Sequence, residues 1–212
     1  MRSKGPHLQM RCTAAVLALV AAAVLFLPRA HGEEPANLQK AIFAGGCFWC
    51  MQPPFDHAKG VKTTVVGYTG GKEINPSYEQ VSAHKTGHRE AIEVTYDPAR
   101  ISYSQLLDIF WHNINPTQAD GQFHDIDHSY TSAIYYLNDE QKKLAEETKK
   151  TVAAKFAPRT VYTEIVKAGP FYKAEDYHQK YYKKNEARYK FYRWNCGRDQ
   201  RIEQLWGKKE QS

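Results

Sequence analysis

Two cysteines follow a glycine pair early in the chain, and their spacing could support redox chemistry. The segment Gly45-Gly46-Cys47-Phe48-Trp49-Cys50 comes after a short apolar run, so we predict that a strand passes through a glycine turn into a helix. Cys47 would then lie in the first helical turn, where unpaired backbone N–H groups favour the thiolate. Cys50 would lie about one turn further along the same face. This spacing predicts a nucleophilic thiol with a second thiol beside it, while a static disulfide and a metal site are the alternatives.

A third cysteine, Cys196, lies near the end of the chain in a segment with little periodicity. A flexible carrier suits disulfide exchange, because the thiol must move between partners. A free buried cysteine is the alternative interpretation.

Carboxyl and phenol groups elsewhere in the chain could assist chemistry at Cys47. Glu90 stands where a loop enters a predicted strand, and a carboxyl withdrawn from water there would have a raised pKa and could act as an acid at neutral pH. Tyr78, Tyr130 and Asp125 are further candidates. Taken alone, each has a simpler interpretation as a solvated carboxylate or a packing tyrosine.

A loop predicted between residues 115 and 129 holds a cluster of histidines and aspartates, namely His124, Asp125, Asp127 and His128. No second Cys-x-x-Cys is present to complete a structural zinc pattern with Cys47 and Cys50. We therefore predict a hydrogen-bonded loop and no metal.

The first 32 residues differ in character from the rest. Arg2, Lys4 and Arg11 precede an apolar run of about 15 residues, and a small-residue stretch ends at Gly32. This order of basic, apolar and cleavage regions is typical of a secretory signal peptide, and the apolar run is short for a membrane span. We therefore predict a signal peptide at 1–32, a catalytic domain at 33–212 and a periplasmic or secreted protein, with an uncleaved anchor as the alternative.

The charge of the chain is largely that of its leader. The 212 residues include 29 basic and 23 acidic side chains, and four of the basic but none of the acidic ones lie in residues 1–32, which leaves a net charge of +2. So small a charge gives no electrostatic case for binding nucleic acid. The length is enough for one domain, and a monomer is the default expectation.

Patterning predicts alternating strands and helices. Strands are expected at 40–44, 61–68, 90–96, 131–137 and 160–166, and helices at 47–57, 78–83, 102–113, 138–155 and 174–184. Ser77, Ser102 and Asn138 are expected to cap helices, and the proline pair Pro53-Pro54 to kink the first one.

Half-exposed strands and broad-faced helices favour an α+β class. We predict a two-layer α/β sandwich with a ferredoxin-like mixed sheet, helices packed on it and a long C-terminal coil, which has one helical piece near 199–205. A thioredoxin-like or doubly wound arrangement is the alternative.

Together these segments resemble the A-type peptide methionine sulfoxide reductases. The matching segments are, in order, Ala44–Cys50, Gly67–Gly71, Asn75–Tyr78, Thr86–Ala91, Tyr130–Tyr135, Pro170–Tyr172 and Ala174–Gln179. They span nearly all of the chain after the leader.

The resemblance implies a role for each residue of the motif. Cys47 matches the nucleophile that attacks the sulfoxide sulfur, and Phe48 with Trp49 match the apolar wall that receives the methyl group. Glu90 matches the acid that protonates the sulfoxide oxygen. Cys47 would end as a sulfenic acid, with which a nearby thiol condenses to a disulfide.

The resemblance also implies roles for three side chains outside the cysteine motif. Tyr78 and Tyr130 match phenols that hydrogen-bond the sulfoxide oxygen, and Asp125 matches an aspartate that orients the substrate or a site water. The segment His124–Ser129 departs from the commoner version of that loop, which contains glycine.

The cysteine motif itself departs from many relatives, which have glycine in place of Cys50 and glutamate in place of Gln52. Cys50 is therefore a candidate for the first resolving thiol, with Cys196 passing the disulfide outward. Direct attack by Cys196 on the sulfenic acid is the alternative.

The implied activity is reduction of methionine-S-sulfoxide, free or in proteins, as repair of oxidative damage. No bound cofactor or metal is implied, and a thioredoxin-like dithiol protein would supply electrons. The rival interpretations are a thioredoxin-fold disulfide exchanger and a structural protein with a static Cys47–Cys50 disulfide. A third cysteine and the set Tyr78, Glu90 and Tyr130 argue against the exchanger, which needs none of them.

Overall fold

The computed structural model describes residues 37–208, in which helices pack on a six-stranded sheet. The predicted signal peptide at 1–32 lies outside this range. None of the helices within it is long and apolar enough to cross a membrane.

The elements follow one another along the chain in the order β1 Gln39–Gly45, α1 Phe48–Asp56, β2 Val61–Thr69, α2 Tyr78–Ser82, β3 Arg89–Tyr96, α3 Tyr103–Trp111, β4 Gly121–Gln122, β5 Asp125–Ile126, a 3₁₀ turn His128–Tyr130, β6 Ser132–Tyr136, α4 Asp139–Phe156, β7 Glu164–Lys167, β8 Phe171–Lys173, α5 Tyr181–Lys184, α6 Glu186–Asn195 and α7 Arg198–Trp206.

The sheet has the strand order β7-β6-β1-β3-β2-β8. Every neighbouring pair of strands in it is antiparallel except β6–β7, which is parallel. Helices α1 and α3 lie in the crossovers β1-α1-β2 and β3-α3-β6, which is the ferredoxin-like arrangement. The predicted α+β class with a mixed sheet and packed helices is confirmed, and the doubly wound alternative is excluded because parallel pairing is confined to one edge.

The main core lies between the sheet and helices α1, α3 and α4. Phe43 of β1 stacks on Phe55 of α1 at 5.3 Å and on Phe110 of α3 at 5.2 Å between ring centroids. Burial of such aromatic side chains is a main source of folding free energy. The stack fixes β1 against α1, and the turn between these two elements carries the Cys-x-x-Cys motif.

Helix caps were predictable because they are local. Ser77 and Ser102 form capping boxes with Gln80 and Gln105, and the Asn138 side chain accepts a hydrogen bond from a backbone N–H at the start of α4.

The prediction that the proline pair interrupts the first helix is wrong. Helix α1 runs through Pro53 and Pro54 to Asp56. Pro54 has no N–H to offer the Cys50 carbonyl, and the guanidinium of Arg193 donates to that oxygen instead, at 3.3 Å. A partner distant in the sequence therefore supplies the donor that the proline lacks.

The helix predicted at 174–184 is also wrong, since only Tyr181–Lys184 is helical. Gln179 accepts a hydrogen bond from the Val66 N–H at 3.0 Å and donates to the Val66 carbonyl at 2.9 Å, which ties the segment to β2. Lys180 adopts a φ of 55°, outside the helical region. Tertiary bonds hold the chain here in an irregular path.

The C-terminal part is helical where coil was predicted. Helix α6 spans Glu186–Asn195, and α7 covers the predicted helical piece. No residue of α6 is fully buried. Its sequence therefore shows no apolar stripe, which is the pattern that predicts a helix.

Candidate active site

Cys47 caps the N-terminus of α1. Its carbonyl accepts hydrogen bonds from the N–H groups of Cys50 at 3.0 Å and Met51 at 3.2 Å, and its side chain is 6% exposed. Gly46 precedes it with a φ of +81°, and a Cβ at this glycine would lie 2.6 Å from the Gln122 side chain. The tight turn from β1 into α1 therefore requires glycine, and it places the thiol at the positive end of the helix dipole.

Glu90 faces this helix N-terminus from β3. Its carboxyl accepts a hydrogen bond from the Phe48 N–H at 2.9 Å, and the side chain is 3% exposed. Burial raises the pKa of this carboxyl, the hydrogen bond from Phe48 lowers it and the charge of Asp125 raises it. The net result is a pKa of about 8. The simpler interpretation as a solvated strand-end glutamate is wrong, because β3 is a central strand and is covered on both faces.

Two phenols stand close to this thiol and carboxyl. Burial raises the pKa of Tyr78 to about 12, with contributions from nearby Glu90 and Cys47, and the same causes raise the pKa of Tyr130. Within residues 37–208 neither phenol oxygen hydrogen-bonds a protein group. Both hydroxyls are therefore neutral donors that are free to bind an oxygen of a ligand.

Asp125, in β5, completes the site from the opposite side. It accepts a hydrogen bond from the Tyr192 hydroxyl at 2.6 Å. Burial raises the pKa of Tyr192, and proximity to Cys47 and Asp125 raises it further. Tyr192 was not predicted as a site residue, although it lies only four residues before Cys196.

Aromatic side chains form one wall of the site. Phe48 is buried, whereas Trp49 is half-buried and stacks on Tyr181 with 3.8 Å between ring centroids. His178 lies against Phe48 at 5.0 Å and Tyr78 at 4.5 Å, and its Nδ1 accepts a hydrogen bond from the Trp49 indole N–H at 2.9 Å.

His178 is 1% exposed, and burial lowers its pKa while the charge of Glu175 raises it. The ring is therefore neutral at pH 7, with its acceptor nitrogen toward Trp49. Its motif contributed to the family resemblance, but only the structure shows its contacts with the wall.

Replacing His178 by phenylalanine should raise KM more than it lowers kcat, because the indole N–H of Trp49 loses its acceptor and the wall its fixed orientation. Loss of one such bond costs about 1 kcal/mol, which is about fivefold in binding. His178→Asn should recover part of the loss, since an amide oxygen can take the place of Nδ1. Steady-state kinetics of both variants checks this, and equal effects of Phe and Asn would argue against the positioning role.

The three cysteines of the described chain are free and buried. The Cys50 thiol lies near both Cys47 and Cys196. The proximity of Cys196 lowers the pKa of Cys50, but the proximity of Cys47 and burial together raise it to about 12. Cys50 thus lies between the other two thiols.

The loop predicted between residues 115 and 129 is hydrogen-bonded in the structure. Asp127 accepts a bond from the Ser129 N–H at 2.9 Å and pairs with His84 at 2.8 Å, and His128 Nε2 lies 3.2 Å from the Gly87 carbonyl oxygen. Its histidines point to separate surroundings, since His124 instead borders a cleft beside Cys196.

The structure brings all the predicted site residues to one place, at the junction of β1 and α1. They are Cys47, Phe48, Trp49, Cys50, Tyr78, Glu90, Asp125, Tyr130 and Cys196.

Comparison with known proteins gives one consistent result. The model of the family described as peptide methionine sulfoxide reductase matches residues 39–210. A peptide methionine sulfoxide reductase MsrA of Bacillus subtilis is 51% identical over 170 residues, which cover 80% of this chain and 96% of the relative.

Solved structures agree with the sequence relatives. The methionine sulfoxide reductase A of Corynebacterium diphtheriae has a TM-score of 0.64 and 32% identity, over 73% of this chain and 77% of that one. Mxr1 of Saccharomyces cerevisiae in its reduced form has a TM-score of 0.67 and 28% identity, over 72% of this chain and 88% of that one. The chain therefore belongs to the peptide methionine sulfoxide reductase family, in its A-type branch.

Proposed function

We propose that this protein reduces the S epimer of methionine sulfoxide, free or in proteins, with Cys47 as nucleophile and Glu90 as acid. One observation carries the proposal: a buried carboxyl with a pKa of about 8 lies against the helix N-terminus that holds the thiol. A carboxyl that keeps its proton at neutral pH can give it to the sulfoxide oxygen as the sulfur is attacked. A disulfide exchanger has no use for such an acid.

The first step transfers oxygen from substrate to enzyme. The Cys47 thiolate attacks the sulfoxide sulfur, and Glu90 gives its proton to the oxygen. The hydroxyl then passes from the substrate sulfur to the Cys47 sulfur as the transient bond between the two sulfurs breaks, which releases methionine and leaves Cys47 as a sulfenic acid. Tyr78 and Tyr130 donate hydrogen bonds to the oxygen as its charge develops. Phe48 and Trp49 hold the substrate methyl group, and Asp125, oriented by Tyr192, fixes the polar side of the substrate.

The second step regenerates the nucleophile through a thiol relay. Cys50 attacks the Cys47 sulfenic sulfur, an S–S bond forms, and the oxygen leaves as water. Cys196 then attacks the Cys50 sulfur, a Cys50–Cys196 disulfide forms, and Cys47 leaves as a thiolate. The position of Cys50 near both other thiols supports this order over direct attack by Cys196.

The electron donor in this proposal is a thioredoxin-like dithiol protein, because a protein disulfide is reduced most directly by thiol exchange. A cleft of about 450 Å³ borders Cys196, and the exposed Trp194 at its edge offers an apolar contact for such a partner. The related yeast protein Mxr1 has been solved in complex with Trx2. No bound cofactor or metal takes part in the proposed steps.

We also propose that residues 1–32 direct export and are removed, so that the enzyme acts in the periplasm or outside the cell. The order of basic, apolar and small residues supports this. The donor would then be an envelope protein and not a cytosolic thioredoxin. N-terminal sequencing of the isolated protein checks the processing, and an intact Met1 in an exported fraction would contradict it.

A single-turnover assay tests the proposed function. Pre-reduced protein is mixed with peptides that contain either the R or the S epimer, and methionine formed and thiols lost are counted. We expect one methionine from the S epimer with two thiols lost, and none from the R epimer. Methionine from neither epimer, with disulfide reduction of other proteins, would return the chain to the class of exchangers.

The resolving cysteines provide matched variants in the same assay. Cys50→Ser should still form one methionine but stop at the sulfenic acid or resolve slowly through Cys196. Cys196→Ser should form methionine and a Cys47–Cys50 disulfide, but lose turnover with the donor protein. A Cys50→Ser variant that resolves as fast as the unchanged protein would show that Cys196 attacks directly.

A further inference from the structure

Arg198 is fully buried, and within residues 37–208 it has no carboxylate partner. Its guanidinium donates to the carbonyls of Gly45 at 3.0 Å and Asn113 at 2.8 Å and to the Met51 sulfur at 3.4 Å. It also lies 4.4 Å from the ring centroid of Phe123. The buried Nε has no hydrogen-bond partner.

A buried charge without a counter-charge is unfavourable, because neutral acceptors only partly replace its hydration. The charge of the neighbouring Arg193 has a counter-charge, because its guanidinium pairs with both carboxylate oxygens of Asp199. Arg198 therefore stands out as a positive charge held without an anion. Such a residue is expected where an anion forms transiently.

Arg198 lies between the two cysteine segments. It starts α7 two residues after Cys196, and its guanidinium bonds the Gly45 carbonyl, two residues before Cys47. A Cβ at Gly46 would lie 2.9 Å from Arg198 Nη2, so the guanidinium fills the space directly beside the turn that carries the nucleophile. The Cys196 thiol, which donates a hydrogen bond to the Arg193 carbonyl at 3.2 Å, also lies near the backbone N–H of Arg198.

Both resolving thiols carry their protons in the resting protein. The proximity of Cys50 and burial raise the pKa of Cys196, whereas the nearby backbone N–H and the charge of Arg198 lower it. The charge of Arg198 also acts to lower the pKa of Cys50. Cys47, Tyr189 and Arg193 face Cys50 as well, but the charge of Arg193 is neutralised by Asp199.

We propose that Arg198 supplies the fixed positive charge that stabilises the thiolates of Cys50 and Cys196 while the disulfide passes along the relay. The inference rests on the proposed function. When the Cys50 thiolate attacks the Cys47 sulfenic sulfur, and when the Cys196 thiolate attacks the Cys50 sulfur, the attacking sulfur must first be an anion. The charge of the guanidinium is already in place beside the turn that carries Cys47 when that anion forms.

Rapid-quench single turnover separates the two steps. Methionine is counted to follow the first, and the remaining thiols are alkylated and mapped to follow the second. We expect Arg198→Met to slow disulfide formation at least tenfold more than methionine formation, and Arg198→Lys to recover at least a third of the rate. Arg188→Met, which removes an exposed charge from α6, is the control and should leave both rates unchanged.

A titration gives a readout that a structural role would not move. In a Cys12→Ser, Cys47→Ser background, Cys50 and Cys196 are the remaining thiols, and their thiolate absorbance near the ultraviolet edge is followed against pH. We expect Arg198→Met to shift this titration upward by about one pH unit. If that variant does not fold, Arg198→Gln carries the same test, since its amide can still donate to the Gly45 carbonyl.

The outcomes are distinct from failure of the proposed function, which would appear as absence of methionine in the unchanged protein. Equal slowing of both steps, an unshifted titration, or a lysine variant no better than the neutral one would each overturn the inference. So would an effect of Arg188→Met as large as that of Arg198→Met.

Discussion

Replacing Cys47 by serine should abolish methionine formation from either epimer, to the detection limit of a single-turnover assay. A serine hydroxyl stays protonated at neutral pH and cannot attack sulfur as a thiolate does. Neither Cys50 nor Cys196 can take over, because only Cys47 lies at the helix N-terminus beside Glu90. No sulfenic acid and no relay disulfide should appear.

The same change should leave the fold intact or slightly more stable. Cys47 is the N-cap of α1 and makes no side-chain capping hydrogen bond, whereas serine is among the preferred N-cap residues. Capping side chains contribute about 1 kcal/mol, so the free energy of unfolding should stay equal or rise by up to that amount. Urea unfolding beside the activity assay checks this pair of results. Retained methionine formation would show that another thiol is the nucleophile.

The position of Cys47 at the start of a helix was predicted correctly, because the signals for it are local in the sequence. A strand, a glycine turn and a helix start are all encoded within about ten residues, and so are the serine and asparagine caps. The α+β class followed from the patterning of the elements, although their order does not fix which strands pair. These features depend on neighbours in the chain, and the structure reproduces them.

The features that the sequence did not reveal depend on residues far apart. Helix α1 continues through its prolines because Arg193 reaches the Cys50 carbonyl, and residues 176–180 are irregular because Gln179 bonds to β2. Strand β8 has only three residues and pairs with one edge of the sheet, so its pattern is too short to recognise. Each of these is decided by tertiary contacts that override local propensity.

Some features of the candidate site could likewise be predicted from the sequence, and others could not. Cysteine spacing and the family resemblance nominated the nine site residues, but the burial of Glu90, on which its acid role depends, could not be inferred from its position at a strand end. His178 and Tyr192 touch the site through side chains supplied by the C-terminal region. Arg198 had no motif of its own to mark it, and only its unpaired burial reveals it.

Replacing Glu90 by glutamine should lower the rate of methionine formation by about 10²–10⁴-fold, the usual contribution of a positioned general acid. Glutamine keeps the shape of the side chain, and its amide oxygen can still accept the hydrogen bond from Phe48. The unchanged enzyme should lose rate as the pH rises through about 8, because its acid becomes ionised there. The variant should lack this alkaline decline, which single-turnover rates between pH 6 and 9.5 would reveal.

The stability of the folded protein should also depend on the ionisation of Glu90. The pKa of Glu90 is raised to about 8 in the folded protein from an ordinary value of 4.5, so between these values the native state holds a proton that the unfolded state has released. The contribution of the protonated carboxyl is fully present below pH 4.5 and is lost as the pH rises toward 8, by at most about 1.4 kcal/mol per pH unit. Glu90→Gln carries no such proton. Its stability relative to the unchanged protein should therefore increase over this window and level off above it.

The pH dependence of the rate and the pH dependence of the stability both test the ionisation of Glu90. If Glu90 is the acid, the pH at which the rate declines and the pH at which the stability difference levels off report the same ionisation, near 8 in the free protein. A bound substrate excludes further water from the carboxyl and should move the kinetic value upward, never downward. A rate that declines well below pH 8, or a variant with the same alkaline limb as the unchanged protein, would assign the limb to another group. The buried carboxyl would then be retained for the hydrogen bond it accepts at the start of α1, and the proton for the sulfoxide oxygen would have to come from Tyr78 or Tyr130.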